Sequence, residues 1–193
     1  MSMNIPKINF SEHTLFNYSN AVPPNLIKEI LAEINSREFE KATVTGGDLQ
    51  NDLHEIRSTM IQWINPESWI GGICNNLLMA SNSRYFFYDL TQWIDGIQVT
   101  VYEEGDHYGW HTDCTSYLKA PDALDRKLSM SLLLNDNYEG GELEFQYQPL
   151  DKKIKPKAGE AIIFPSWLPH RVLPVTKGKR ISIVAWLSGP VFK

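Results

Sequence analysis

The sequence predicts a mainly β fold, a sandwich or jelly roll with N-terminal helices packed on the outside of one sheet. Three observations predict it. Short apolar runs punctuated by Gly, Pro, Asn and Asp recur from residue 84 onward, the texture of many short strands in a two-sheet architecture. Helical periodicity is confined to two segments upstream of residue 84. No composition break or linker divides the 193 residues, so the expectation is a single domain, with 1–83 as a helical buttress carrying one strand and 84–193 as the jelly-roll core.

The elements follow in order. Pro23 and Pro24 precede Asn25 to Ile34, where Leu26, Ile27, Ile30, Leu31 and Ile34 fall at helical spacing behind prolines suited to a helix start. A loop with Gly46-Gly47 leads to a strand over 56–63. A second helix is expected from Pro66 to about Ser81, carrying Trp69, Ile73, Leu77 and Leu78. Strands are expected at 84–90, 96–103, 127–135, 141–147, 160–164, 170–175 and 180–187. Lys177-Gly178-Lys179 reads as a three-residue hairpin turn joining the last two. That register pairs Thr176 with Arg180 and puts His170 and Val172 on one face with Arg180, Ser182, Val184 and Trp186; a two-residue turn would reverse Arg180.

Alternation along the strands divides their faces. Gln98, Thr100 and Tyr102 share one side, opposite Val99 and Val101; Ser129 and Ser131 oppose Leu128, Met130, Leu132 and Leu134. Such polar faces either look at solvent or, turned inward, line a polar pocket.

Composition narrows the function. With 42% hydrophobic and 21% charged residues the chain is globular, and its length suffices for a full core without disulfides or structural metal. A net charge of −5 argues against a binder of nucleic-acid phosphates. Cys74 and Cys114 match no zinc spacing and are too few for a disulfide framework, which reads as two reduced thiols in a cytoplasmic protein. The N-terminal MSMNIPKINF carries no signal-peptide pattern, and no apolar run approaches the roughly 18 residues of a membrane span. No membrane partner is expected.

The strongest chemical signal is His111-Thr112-Asp113. In extended chain, residues two apart project to one side, so an imidazole and a carboxylate can reach a common metal. The triplet leaves a strand through the glycine-containing turn 102–113. His170 follows the strand 160–164 and opens the next. Two histidines and one carboxylate suit non-haem Fe(II), because three coordination positions stay open; zinc could use the same ligands. Arg180, in the adopted register, places a permanent cation in the pocket, suited to a bidentate carboxylate, with Ser182 beside it as a further donor. His13, His54 and His107 read as ordinary surface histidines, Arg171 as pointing away from the interior, and Glu103, Glu104 and Asp106 lack calcium-loop spacing.

His111-x-Asp113, His170 57 residues after Asp113, and Arg180 ten residues further on resemble the Fe(II)/2-oxoglutarate-dependent dioxygenases, most closely the prolyl 4-hydroxylase-like group with its bacterial PKHD-type hydroxylases. The resemblance covers about residues 84–190. Tyr102, Gly140-Gly141 before Glu142 to Phe145, and the turn Pro165 to His170 also resemble that group. It implies a double-stranded β-helix, and Fe(II) held by His111, Asp113 and His170. It implies 2-oxoglutarate held by Arg180, with Tyr102, Ser182, Ser131 and Trp186 as further co-substrate residues. It implies O2 consumption with decarboxylation to succinate and CO2, ascorbate as an accessory, and hydroxylation of a prolyl residue in a peptide or protein. The cofactors carry the hard chemistry while the protein positions them. Upstream, Arg57 and Trp63 resemble residues of a substrate-side strand in that group, and the loop 46–56 is a candidate lid. Nucleic-acid demethylases of the superfamily usually carry a second arginine six residues after the first; here that position is Trp186, which argues against nucleic acid as partner. Hydroxylation of a free amino acid or other small molecule, a non-catalytic metal- or sugar-binding jelly roll, and a zinc hydrolase are the rival readings. A monomer and a dimer are equally compatible with the sequence.

Overall fold

The structure is a computed structural model, and it describes residues 14–42, 57–114, 123–147 and 150–191. The loop 46–56, His13 and His54 lie outside the described residues. The strands are β1 Phe16–Tyr18, β2 Glu40–Lys41, β3 Met60–Ile64, β4 Ile97–Tyr102, β5 Tyr108–His111, β6 Leu124–Leu133, β7 Glu139–Gly140, β8 Leu143–Tyr147, β9 Leu150–Ile154, β10 Ala161–Pro165, β11 His170–Val172, β12 Val175–Lys177 and β13 Arg180–Pro190; the helices are α1 Pro24–Asn35 and α2 Trp69–Ser81. A seven-stranded antiparallel sheet runs β1-β10-β6-β13-β4-β3-β2, faced by a four-stranded sheet β5-β11-β8-β9, with β12 and β7 paired separately. This is the mainly β, helix-buttressed architecture expected of the sequence.

The alternation along each strand sorts the interior into two layers. On one side of the large sheet Ile97, Val99, Met130, Leu132, Ile183 and Ala185 meet Ile27, Ile30 and Ile34 of α1 and Ile70, Cys74, Leu77 and Leu78 of α2. Each buried aliphatic side chain there contributes about 1.5–3 kcal/mol by leaving water. On the other side Phe145, Ile162, Phe164, Leu168, Val172 and Val175 close one end of the space between the sheets. The remainder of that space is the cavity described below. Among the described residues no helix is long and apolar enough to cross a membrane.

Four expectations are corrected. The second helix starts at Trp69 and not at Pro66, because Asn65 accepts from the Glu67 amide through its side chain and from the Ser68 amide through its carbonyl, forming a turn first. Ser68 then caps the helix by accepting from the Gly71 amide. The strand expected at 56–63 narrows to Met60–Ile64, with Arg57 making one separate bridge to Tyr108. The strand expected at 84–90 is instead a π-helical turn, Asn82–Phe86. The Asn82 side chain takes both the amide and the carbonyl of Tyr88, at 2.8 and 2.9 Å, occupying the groups a ladder would need. Finally, β12 and β13 form no hairpin. β12 pairs with β7 and exchanges hydrogen bonds with Gly105 and Asp106, while β13 lies between β4 and β6. Lys177-Gly178-Lys179 is the corner by which the chain crosses from one layer to the other. Arg180 faces the cavity because it pairs with Tyr102, not because it pairs with Thr176.

Candidate active site

β11 pairs with β5 so that His170 lies directly opposite His111, and this register brings the two rings to 4.2 Å between centroids. Asp113 is fixed just beyond β5 by its backbone amide, which donates to the Ser166 carbonyl at 2.8 Å. Each imidazole is oriented the same way: His111 Nδ1 to the Gly109 carbonyl and His170 Nδ1 to the Leu168 carbonyl, both at 2.9 Å. A carbonyl only accepts, so both Nδ1 atoms carry hydrogen and the Nε2 atoms are the ones left to act as ligands. Those Nε2 atoms lie 3.7 and 3.6 Å from the Asp113 carboxylate oxygens. The three ligand atoms fall within 4.8 Å of one another, which fits a single ion with open positions on its far side.

The electrostatics favour this ligand state. Burial, followed by the neighbouring His170, lowers the His111 pKa to about 4, so the ring is neutral at physiological pH. Burial alone would raise the Asp113 pKa. The facing His170 and His111 and the Ser129 hydroxyl outweigh it and hold the carboxyl below its ordinary range. Tyr108 stacks on His111 with centroids 3.6 Å apart, and the Arg57 guanidinium lies over the Tyr108 ring.

All the residues nominated from sequence line one cavity of about 360 Å³ between the sheets. Tyr102, Ser182, Ser131, Trp186 and Arg180 come from the inward face of β4, β6 and β13. Arg180 is only 1% exposed. Its Nη1 donates to the Ser182 hydroxyl at 2.7 Å, and Ser182 shares a hydrogen bond with Thr100. Its Nε and Nη2 are buried without a hydrogen-bond partner among the described residues. A desolvated cation with idle donors is costly unless an anion completes it. Arg57 lies at the other wall, donating from Nη2 to Gln98 Oε1 at 2.7 Å, and Trp63 lies at the mouth, 43% exposed. Trp186 carries the Arg126 guanidinium 3.9 Å above its ring, and Arg126 is in turn held by Asp95 at 2.8 Å. The Trp186 indole is close enough to Asp113 to influence it, without forming a hydrogen bond of good geometry. Arg171 points away, onto Glu144 and the ring of Trp110.

Sequence reasoning assigned no role to Tyr108, Arg126, Ser129 or Ser166. Only Ser129 had a signal, its alternation with Ser131. Gly140 and Gly141 have a mechanical reason to be glycine. Both have positive φ, +71° and +65°, and a Cβ on Gly140 would lie 2.4 Å from the Pro174 carbonyl oxygen. A Cβ on Gly141 would press on Arg180 and Tyr138. Gly140→Ala is therefore expected to destabilise the fold by on the order of 1–3 kcal/mol, read as a lower urea midpoint.

The 2OG-Fe(II) oxygenase superfamily model matches residues 97–188. A PKHD-type hydroxylase of Prochlorococcus marinus is 30% identical over 188 residues, covering 95% of this chain and 80% of that protein. The chain belongs to the PKHD-type hydroxylases of the 2OG-Fe(II) oxygenase superfamily. A PKHD-type hydroxylase of Alteromonas mediterranea is 40% identical over 94 residues, which is 47% of this chain and 42% of that protein. Among solved structures, a prolyl-4-hydroxylase of Pseudomonas putida is similar in fold with a TM-score of 0.68 at 24% identity, over 93% of this chain and 94% of the other. A Trichoplax adhaerens prolyl hydroxylase, solved with a hypoxia inducible factor peptide fragment, gives 0.69 at 21% identity over 92% and 84%. The oxygenase family requires Fe(II), 2-oxoglutarate and O2. The residues present fit those groups, since three convergent donors and a buried guanidinium with idle N–H groups share one cavity.

Proposed function

We propose that this oxygenase hydroxylates a prolyl residue in a peptide or protein, with oxidative decarboxylation of 2-oxoglutarate to succinate and CO2. The observation that carries the oxygenase chemistry is the unsatisfied Arg180 guanidinium in the same cavity as the His111, Asp113 and His170 donors. His111 Nε2, His170 Nε2 and one Asp113 oxygen would hold Fe(II), which with 2-oxoglutarate supplies the activation of O2. Arg180 takes the distal carboxylate of the co-substrate. Ser182 and Thr100 hold the guanidinium in place beforehand, so little ordering is left to occur on binding. Tyr102, buried under Arg180 with its pKa raised by burial, stays a neutral donor to the same carboxylate. Trp186 and Ser131 border the co-substrate, while Leu143, Phe164 and Val172 keep that end of the cavity apolar and short of water.

The prolyl assignment is supported by the likeness in fold to prolyl hydroxylases and by the mouth of the cavity. There Arg57, braced by Gln98 and Tyr108, offers a flat donor surface for a backbone carbonyl, and exposed Trp63 offers an aromatic face for a pyrrolidine ring. A cytoplasmic setting and stimulation by ascorbate belong to the same reading. Protein loaded anaerobically with Fe(II) and then given 2-oxoglutarate, ascorbate and air is expected to form succinate, faster with a proline-rich peptide mixture. Mass spectrometry should show one oxygen atom added to proline. Stimulation by a free amino acid with no oxygen on any peptide would replace the substrate; absence of succinate under every condition would overturn the reading.

A further inference from the structure

A hydroxyl relay stands behind the carboxylate. Ser129 Oγ donates to Asp113 Oδ2 at 2.7 Å and lies 2.8 Å from Ser166 Oγ. The direction of the second bond follows from the first. The single Ser129 proton is committed to Asp113, so in the second bond Ser129 accepts and the Ser166 hydroxyl donates. Both serines are fully buried. Ser166 also accepts the Asp113 and Cys114 amides on its carbonyl, at 2.8 and 3.1 Å. Backbone and side chain of Asp113 are thus tied to the same two residues. Among the described residues no hydrogen bond reaches Asp113 Oδ1.

Packing does not demand these hydroxyls. Ser129 lies on β6 opposite Phe164 of β10 and Trp186 of β13, where alanine would fill nearly the same volume. Without the carboxylate the pair would hold two desolvated hydroxyls and only one hydrogen bond, a cost with no return in the ligand-free fold. The pair is complete only when the Asp113 side chain terminates it.

We propose that Ser129, backed by Ser166, is a positioning residue for the metal site: it engages Asp113 Oδ2, fixes the rotamer of the carboxylate, and leaves Oδ1 as the single oxygen offered to the ion. The inference rests on the metal-site reading above. Loss of such an outer partner typically weakens metal affinity about 10- to 100-fold.

The test uses the metal-free full chain titrated with Mn(II), free ion being read by electron paramagnetic resonance, with circular dichroism as a check on folding. Ser129→Ala is expected to weaken Mn(II) binding roughly 10- to 100-fold. Ser129→Thr, which keeps the hydroxyl, should restore most of it, and Ser166→Ala should give a smaller loss. At saturating Fe(II) the 2-oxoglutarate KM should stay at the wild-type value in Ser129→Ala. A rise there matching the loss of metal affinity would mark general loosening of the cavity and overturn the assignment. So would wild-type Mn(II) affinity in folded Ser129→Ala. If that variant does not fold, Ser166→Ala decides, and an unchanged affinity in it overturns the relay. Wild-type protein that binds no Mn(II), or binds it equally after Asp113→Ala, would instead overturn the metal site itself.

Discussion

Asp113→Ala is expected to abolish iron-dependent succinate formation and to lower Mn(II) affinity by more than the roughly 10- to 100-fold that loss of an outer partner costs. The reason is the charge balance of the cavity. Arg57, Arg126 and Arg180 all line it, and Asp113 is the only carboxylate among its described lining residues. With that carboxylate gone, two imidazoles would face a divalent ion in a cavity whose remaining charged lining residues are all positive. The substitution also removes the acceptor of the Ser129 proton, but the Ser129–Ser166 hydrogen bond remains, so the variant should remain folded. The chain therefore separates ligand loss from unfolding: an unchanged far-ultraviolet spectrum with no bound metal is the expected pair of results. Succinate formation at more than a trace in Asp113→Ala, still dependent on added iron, would show that the turnover belongs to another site.

Much of this cavity is legible in the sequence, because β-strand alternation is a local property. Gln98, Thr100 and Tyr102 could be assigned to one face from a period of two, and that face proves to line the cavity. The same held for Arg180, Ser182 and Trp186, though for Arg180 the route was wrong. The inferred hairpin does not exist, and its inward direction comes from pairing with Tyr102 across a different strand. Pairing partners are long-range facts that a local turn pattern does not determine, which is also why the corner at Gly178 read as a hairpin. The strand wrongly expected at 84–90 failed for the opposite reason. Its apolar texture was real, but one side chain, Asn82, captured the backbone groups of Tyr88. Arg126 and Tyr108 gave no signal at all, since stacking on Trp186 and on His111 is decided by which strands neighbour one another.

Arg180→Met is the variant that tests the other half of the cavity, and its effects on stability and on binding should have opposite signs. In the ligand-free chain the guanidinium is 1% exposed, has one hydrogen bond to Ser182, and holds Nε and Nη2 without partners. No acidic residue pairs with it among the described residues. Burying a charge that is not fully compensated costs several kcal/mol after relaxation, and replacing it by an apolar side chain of similar length is often neutral or stabilising. Arg180→Met should therefore melt at or above the wild-type temperature when neither has 2-oxoglutarate. Addition of 2-oxoglutarate with Mn(II) should raise the wild-type melting temperature by mass action and leave Arg180→Met much less affected. The lost bidentate, charge-assisted contact is worth about 2–4 kcal/mol, or roughly 30- to 900-fold in co-substrate affinity. Mn(II) affinity measured without 2-oxoglutarate should change little, since among the described residues Arg180 shares no hydrogen bond with His111, Asp113 or His170. A residue kept for structure would show the reverse pattern: a lower melting temperature in the variant and an undiminished response to 2-oxoglutarate. Stability given up at Arg180 and recovered only when a dicarboxylate binds is what a site selected for its ligand, and not for its fold, should display.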